Sequence, residues 1–140
     1  MYWLASLGAN GCGSLYSFEI NPEWATIAAE NMAAIGNRFT LTVGAFEERV
    51  DDVLGDRKID ICLVDGIHTR EFILRQYAIL LPRMAHEGII LFDDIDFPSG
   101  DMREGWDEIW QRPEVSAACE INGHLGLVHL APLRVLCPAR

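Results

Sequence analysis

The chain has 140 residues, half of them hydrophobic, with 21 acidic against 11 basic side chains and a formal charge of −10. That length reads as one domain over residues 1–140, able to bury roughly 68% of its unfolded surface, and the apolar share excludes disorder. Eleven scattered basic residues exclude a nucleic-acid binder and disfavour an anionic membrane surface, and no apolar run approaches the length that spans a bilayer.

The opening stretch MYWLASLGANGCG is apolar but carries no basic segment, so it does not read as a signal peptide and the expected location is cytoplasmic. Tyr2 to Leu7 is helix-like, and the glycines from Gly8 to Gly13 form a helix-to-strand loop. A dinucleotide fingerprint would follow a strand, so that reading is rejected. Leu15 to Ile20 is β-prone and stops at Asn21-Pro22, an N-cap residue followed by a proline suited to the first helical position. Trp24, Ile27, Ala28, Met32 and Ile35 follow at helical spacing, closed by Gly36-Asn37.

Phe39 to Val43 is the next strand, ending at Gly44, and Phe46 to Leu54 is a short helix broken at Gly55. Lys58 to Val64 is the third strand. Thr69 is placed to cap a helix running through Arg83, and Gly88 to Phe92 is the fourth strand. Met102 to Gln111 is helical, with Trp106 and Trp110 four residues apart, and Pro113 ends it. Ala117–Ile121 and Leu125–Leu130 flank Asn122-Gly123-His124, a hairpin turn. Strands alternating with helices predict an α/β fold: a Rossmann-like, mostly parallel sheet with helices on both faces and a C-terminal antiparallel hairpin.

In such sheets, ligands bind beyond the carboxyl ends of the strands, and this chain places acids there. Glu19 ends the first visible strand, where it can accept from ribose hydroxyls or stand as a solvated strand-end acid. Gly44, Ala45 and Phe46 follow the second strand; they can admit and line a flat ring, or form a plain loop with a core phenylalanine. Asp65 follows the third strand, and Asp93 and Asp94 follow the fourth. Converging carboxylates repel unless protonated or neutralised, and hard oxygen donors suit Mg²⁺; caps and loop-amide acceptors are the alternative. His68, three residues past Asp65, is a candidate base, metal ligand or ligand contact, with a cap or loop role as the alternative. His86, His124 and His129 are assigned no chemistry. Phe97, Trp106 and Trp110 either pack in the core or face an aromatic acceptor. Cys12, Cys62, Cys119 and Cys137 contain no Cys-x-x-Cys pair and read as reduced thiols.

Taken together, LYSFEINPEWATIAAENM, FTLTVGAFEE, IDICLVDGIHTREFILRQYAILLPRMAHEGIILFDDI and the helix around GWDEIW resemble class I S-adenosylmethionine (SAM)-dependent methyltransferases, the small-molecule O-methyltransferase-like branch. The resemblance covers Leu15 to Trp110. It implies SAM as cofactor, Glu19 at the ribose, Ile20 as a further cofactor-binding residue, and Gly44, Ala45 and Phe46 beside the adenine. It implies Asp65 near SAM, His68 and Asp65 as catalytic residues, and Asp65, Asp93 and Asp94 as ligands of Mg²⁺ in metal-dependent members. The implied reaction is methyl transfer to a hydroxyl of a small-molecule acceptor. The family's first strand and its glycine-rich loop have no counterpart here, which predicts an N-terminally truncated domain with open sheet edges that a homodimer could cover. A non-catalytic interaction domain on the same scaffold is the competing expectation, followed by a hydrolase or other metal enzyme using the three aspartates.

Overall fold

A computed structural model describes residues 1–98 and 100–131. It divides into two compact units, Met1–Gly55 and Asp56–Arg140.

The first unit begins with helix α1 (Tyr2–Asn10), which stops at Gly11 in the left-handed conformation. Strand β1 (Leu15–Glu19) follows, then helix α2 (Pro22–Ala33). The start of α2 is built as its sequence predicts. Asn21 accepts from the amides of Glu23 and Trp24, and Pro22 occupies the first turn, where its missing N–H costs nothing. Strand β2 (Phe39–Val43) pairs parallel with β1, Leu15 opposite Phe39 and Glu19 opposite Val43. Helix α3 (Phe46–Leu54) closes the unit. Its core is Leu4, Ala25, Met32, Val50 and Leu54. On α2 the buried stripe is Ala25 and Met32, seven residues apart and therefore on one helical face, while Trp24 and Ile27 are exposed.

The second unit holds strand β3 (Ile59–Val64), helix α4 (Arg70–Leu80), strand β4 (Met84–Phe92), helix α5 (Met102–Trp110), and strands β5 (Val115–Ile121) and β6 (Leu125–Leu130). The sheet order is β3-β4-β6-β5, with β3 and β4 parallel and the terminal hairpin antiparallel. This is the mixed α/β architecture expected from the sequence. Its edges differ in two places. The α-helix stops at Leu80, and Leu81–Arg83 continues as a 3₁₀ turn around Pro82, which has no amide to donate to the helical ladder. The fourth strand starts at Met84 rather than Gly88: its register against β3 jumps between Met84 and Ile89, and Glu87 takes a left-handed φ of 61° within that irregularity.

The core of this unit is aromatic and aliphatic: Ile73, Tyr77, Leu80, Ile90, Phe92, Trp106, Ile109 and Val128 are all buried. Trp106 is fully enclosed, its ring 6.1 Å from that of Phe92 and 5.9 Å from that of Trp110. Its indole Nε1–H donates to Glu120 Oε1 at 3.0 Å, and Arg103 holds the same carboxylate. Trp106 is thus a core residue, the first of the two roles open to it, whereas Trp110 and Phe97 keep exposed area. Cys62 on β3 is a half-buried free thiol, pushed up to about 12 by burial and so not a thiolate near neutrality. Cys12 and Cys119 are free and exposed, and Cys137 lies outside the described residues.

One buried polar group is unmatched. Gln76 on α4 is 4% exposed, and its Nε2 finds no hydrogen-bond partner among the described residues. An unmade buried bond costs about 1–3 kcal/mol. Gln76→Leu, close in volume and without the stranded donor, is expected to raise the thermal midpoint by a few degrees. A fall in the midpoint on thermal denaturation would mean that the amide has a partner.

Candidate active site

In the first unit, parallel pairing sets the carboxyl ends of β1 and β2 side by side. Glu19 is opposite Val43, and the amide of Gly44 donates to the Glu19 carbonyl at 2.9 Å. The half-buried Glu19 carboxylate is oriented by its own chain: Oε1 accepts the Asn21 amide at 2.7 Å. That fixes the carboxylate at the start of α2 and leaves Oε2 able to accept from a ligand hydroxyl. Ile20, next to it, is largely exposed. Gly44 adopts φ 136°, a region L side chains rarely enter, and an added Cβ would sit 3.1 Å from Arg49 Cγ. Phe46 meets Phe18 edge-on, ring centroids 5.2 Å apart. Of the six residues that sequence reasoning assigned to the cofactor, Glu19, Ile20, Gly44, Ala45 and Phe46 occupy two adjacent strand ends of the first unit, and Asp65 belongs to the second unit. A hydroxyl-accepting carboxylate beside a glycine and an aromatic ring suits a nucleoside.

In the second unit, the ends of β3 and β4 are adjacent, and the Asp93 amide donates to the Val64 carbonyl at 3.0 Å. Asp65 follows directly. Its carboxyl is held above the ordinary range, first by partial burial and then by the charge of Asp93, against a lowering influence of His68, with Asp94 adding to the rise. Asp94 takes φ 50°, a left-handed conformation that aspartate tolerates better than most residues. Its Oδ2 lies 3.7 Å from His68 Nε2. The His68 ring stacks on Phe97, centroids 4.6 Å apart and planes 28° from parallel. Thr69 caps α4 through the Phe72 amide, as its position predicts, and Asp101 Oδ1 accepts the Arg70 amide at 2.7 Å.

Asp65, His68, Asp93 and Asp94 are thus grouped at one end of this unit and act on one another electrostatically. Grouping is not ligation. Among the described residues, no three His, Cys, Asp or Glu side chains are drawn together as a metal-holding set. The described side chains as they stand do not form an Mg²⁺ site. Sequence reasoning missed the contact between Asp96 and His124, whose Oδ1 and Nδ1 are 2.8 Å apart. The Asn-Gly-His turn signals a loop tip, but nothing in the sequence shows which loop it meets.

Residues 1–95 match the family model described as a methyltransferase domain, and the chain belongs to that family. No curated protein matches it in sequence. Among solved structures it is similar to cofactor-bound Rv0187 from MTB, at 19% identity and a TM-score of 0.73, over 91% of this chain and 66% of that one. It is similar to the O-methyltransferase TomG from Streptomyces achromogenes, involved in tomaymycin synthesis and solved with SAM: 15% identity, TM-score 0.68, 85% of this chain and 62% of that one. A Bacillus cereus O-methyltransferase in complex with S-adenosylhomocysteine (SAH) gives 18% identity and a TM-score of 0.65, over 84% and 63% of the two chains. The fold is thus the class I SAM-dependent O-methyltransferase-like one, and the chain spans just under two thirds of the length of these structures. No described helix is long and apolar enough to cross a membrane.

Proposed function

We propose that this protein transfers a methyl group from SAM to a hydroxyl oxygen of a small-molecule acceptor. The observation that carries the reading is the Glu19 carboxylate, half-buried at the end of β1 and fixed through the Asn21 amide, with Gly44 and Phe46 at the neighbouring strand end. Family membership and the SAM or SAH bound to two of the similar structures support it. Bound there, SAM would supply a sulfonium methyl for the acceptor oxygen, with SAH as the leaving group.

The chain's own residues divide the remaining work. Glu19 Oε2 accepts from ribose hydroxyls, and Phe46 offers its ring to the adenine. Asp65 takes the acceptor's hydroxyl proton; with its carboxyl held above the usual range, it is a stronger base than an ordinary aspartate. His68, stacked on Phe97 and facing Asp94, orients the acceptor through its ring nitrogens. Positioning of this kind is the main source of rate in a displacement that needs no covalent help from the protein.

The test is transfer of label from methyl-tritiated SAM to a panel of hydroxylated small molecules. Label should move to at least one acceptor, and Asp65→Asn should slow it by about 10²-fold or more, the usual worth of a positioned base. Transfer unaffected by Asp65→Asn would remove Asp65 from the chemistry. Absence of transfer to any acceptor, together with absence of SAH binding, would overturn the reading. Repeating the assay with a chelator present decides whether the acidic group recruits a cation in solution.

A further inference from the structure

The turn after β4 is held from three directions. At its start, the Asp93 amide donates to Val64 on β3. In the middle, Ile95 is fully buried, and its amide donates at 2.9 Å to the carbonyl of His124, at the tip of the β5–β6 hairpin. At its end, the Phe97 amide donates back to the Asp94 carbonyl at 2.9 Å, and the Phe97 ring lies on His68. Asp96, between these anchors, points its Oδ1 at His124 Nδ1, 2.8 Å away. A carboxylate only accepts, so Nδ1 carries the proton and donates.

We propose that His124 is a positioning residue for the acidic turn: its backbone and ring together hold Ile95 and Asp96, and through them set Phe97 against His68 beside Asp94. The inference rests on the reading of Asp65 and His68 as the reacting end of this unit. His124 lies beyond residues 1–95, so the family match assigns it nothing.

The need for such a clamp is electrostatic. Asp93, Asp94 and Asp96 fall within four consecutive residues, and the first two act on Asp65. A free Asp96 would be repelled by its neighbours and would pull at the turn that carries them. An N–H donated by His124 fixes Asp96 on the hairpin side. The hydrogen bond to Asp96, then its charge, raise the His124 imidazole above its usual range, and Asp94 and Asp93 add to this. The coupling acts on His68 through Phe97, since a displaced turn takes the Phe97 ring off the imidazole.

The experiment is proton NMR of the His68 ring in the whole chain. Phe97 shields those protons in the wild type, and Phe97→Ala defines their unshielded position. His124→Ala should move them most of the way to the Phe97→Ala position. His124→Asn, whose side-chain amide can still donate to Asp96, should leave them near the wild-type position. Asp96→Ala breaks the contact from the other side and should reproduce the His124→Ala shift. A merely structural role at the hairpin tip would change the thermal midpoint and the hairpin amides but leave the His68 ring where it was. An unmoved His68 in His124→Ala, or a His124→Asn displaced as far as His124→Ala, would overturn the proposal. No cofactor is needed for this signal. A wild-type chain that failed to bind SAH would therefore remove the methyltransferase reading and leave the clamp standing.

Discussion

Trp106→Ala should cost about 3–5 kcal/mol, the range for removing a large aromatic side chain from a packed core. The residue is fully buried between Phe92 and Trp110, and its Nε1–H satisfies Glu120. Truncation empties the space between α5 and the hairpin and strands that arrangement. Against a typical total of about 5–15 kcal/mol, this is a large fraction, and the thermal midpoint should fall by about 10–20 °C. The facing position is equally constrained. A Cβ at Gly126 would sit 2.6 to 2.9 Å from three atoms of the indole ring, closer than side-chain carbons approach. Gly126→Ala should therefore destabilise by about 1–3 kcal/mol on its own, yet by less in a Trp106→Leu background, where the obstructing ring is gone. Additive losses in that pair would show that the ring and the glycine do not share one space.

Glu19→Gln should weaken SAH binding by about tenfold to a hundredfold while leaving the fold intact. Glutamine keeps an oxygen for the Asn21 amide, so the junction between β1 and α2 survives. What it loses is the negative charge that strengthens bonds from ribose hydroxyls, each worth about 1.5–3 kcal/mol when charge-assisted. Glu19→Ala removes both functions and should lower the thermal midpoint as well. The distinction separates a ligand residue from a strand-end cap: calorimetric affinity and thermal midpoint move together for the alanine, whereas only affinity moves for the glutamine.

Much of this was legible because the signals are local. Asn21-Pro22 states a helix start in two residues, and the structure builds it with two amide bonds to the Asn21 side chain. The alternation of β-prone and helical segments gives the element order, and apolar runs ending in Glu19, Asp65 and Asp93-Asp94 mark the strand ends. The misplaced features depend on contacts remote in sequence. The start of β4 at Met84 follows from an irregular register against β3, which no single-strand pattern reveals. The exposure of Trp24 and Ile27 follows from which stripe of α2 finds a partner; helical spacing alone gave that face no direction. His124 drew no functional reading because its partner, Asp96, lies 28 residues away in another loop. Asp65, Asp93 and Asp94 do lie at adjacent strand ends, but among the described residues no three His, Cys, Asp or Glu side chains are grouped to hold a metal.

On the proposed function, the strand ends carrying Glu19 and Gly44 form a nucleoside site. Isothermal titration of SAH into the wild-type chain, beside Glu19→Gln, tests it most directly. Saturable binding with one site per chain is expected in the wild type, and at least about tenfold weaker binding in the variant. Wild-type binding that Glu19→Gln leaves unchanged would contradict it, as would no binding to a chain that unfolds cooperatively.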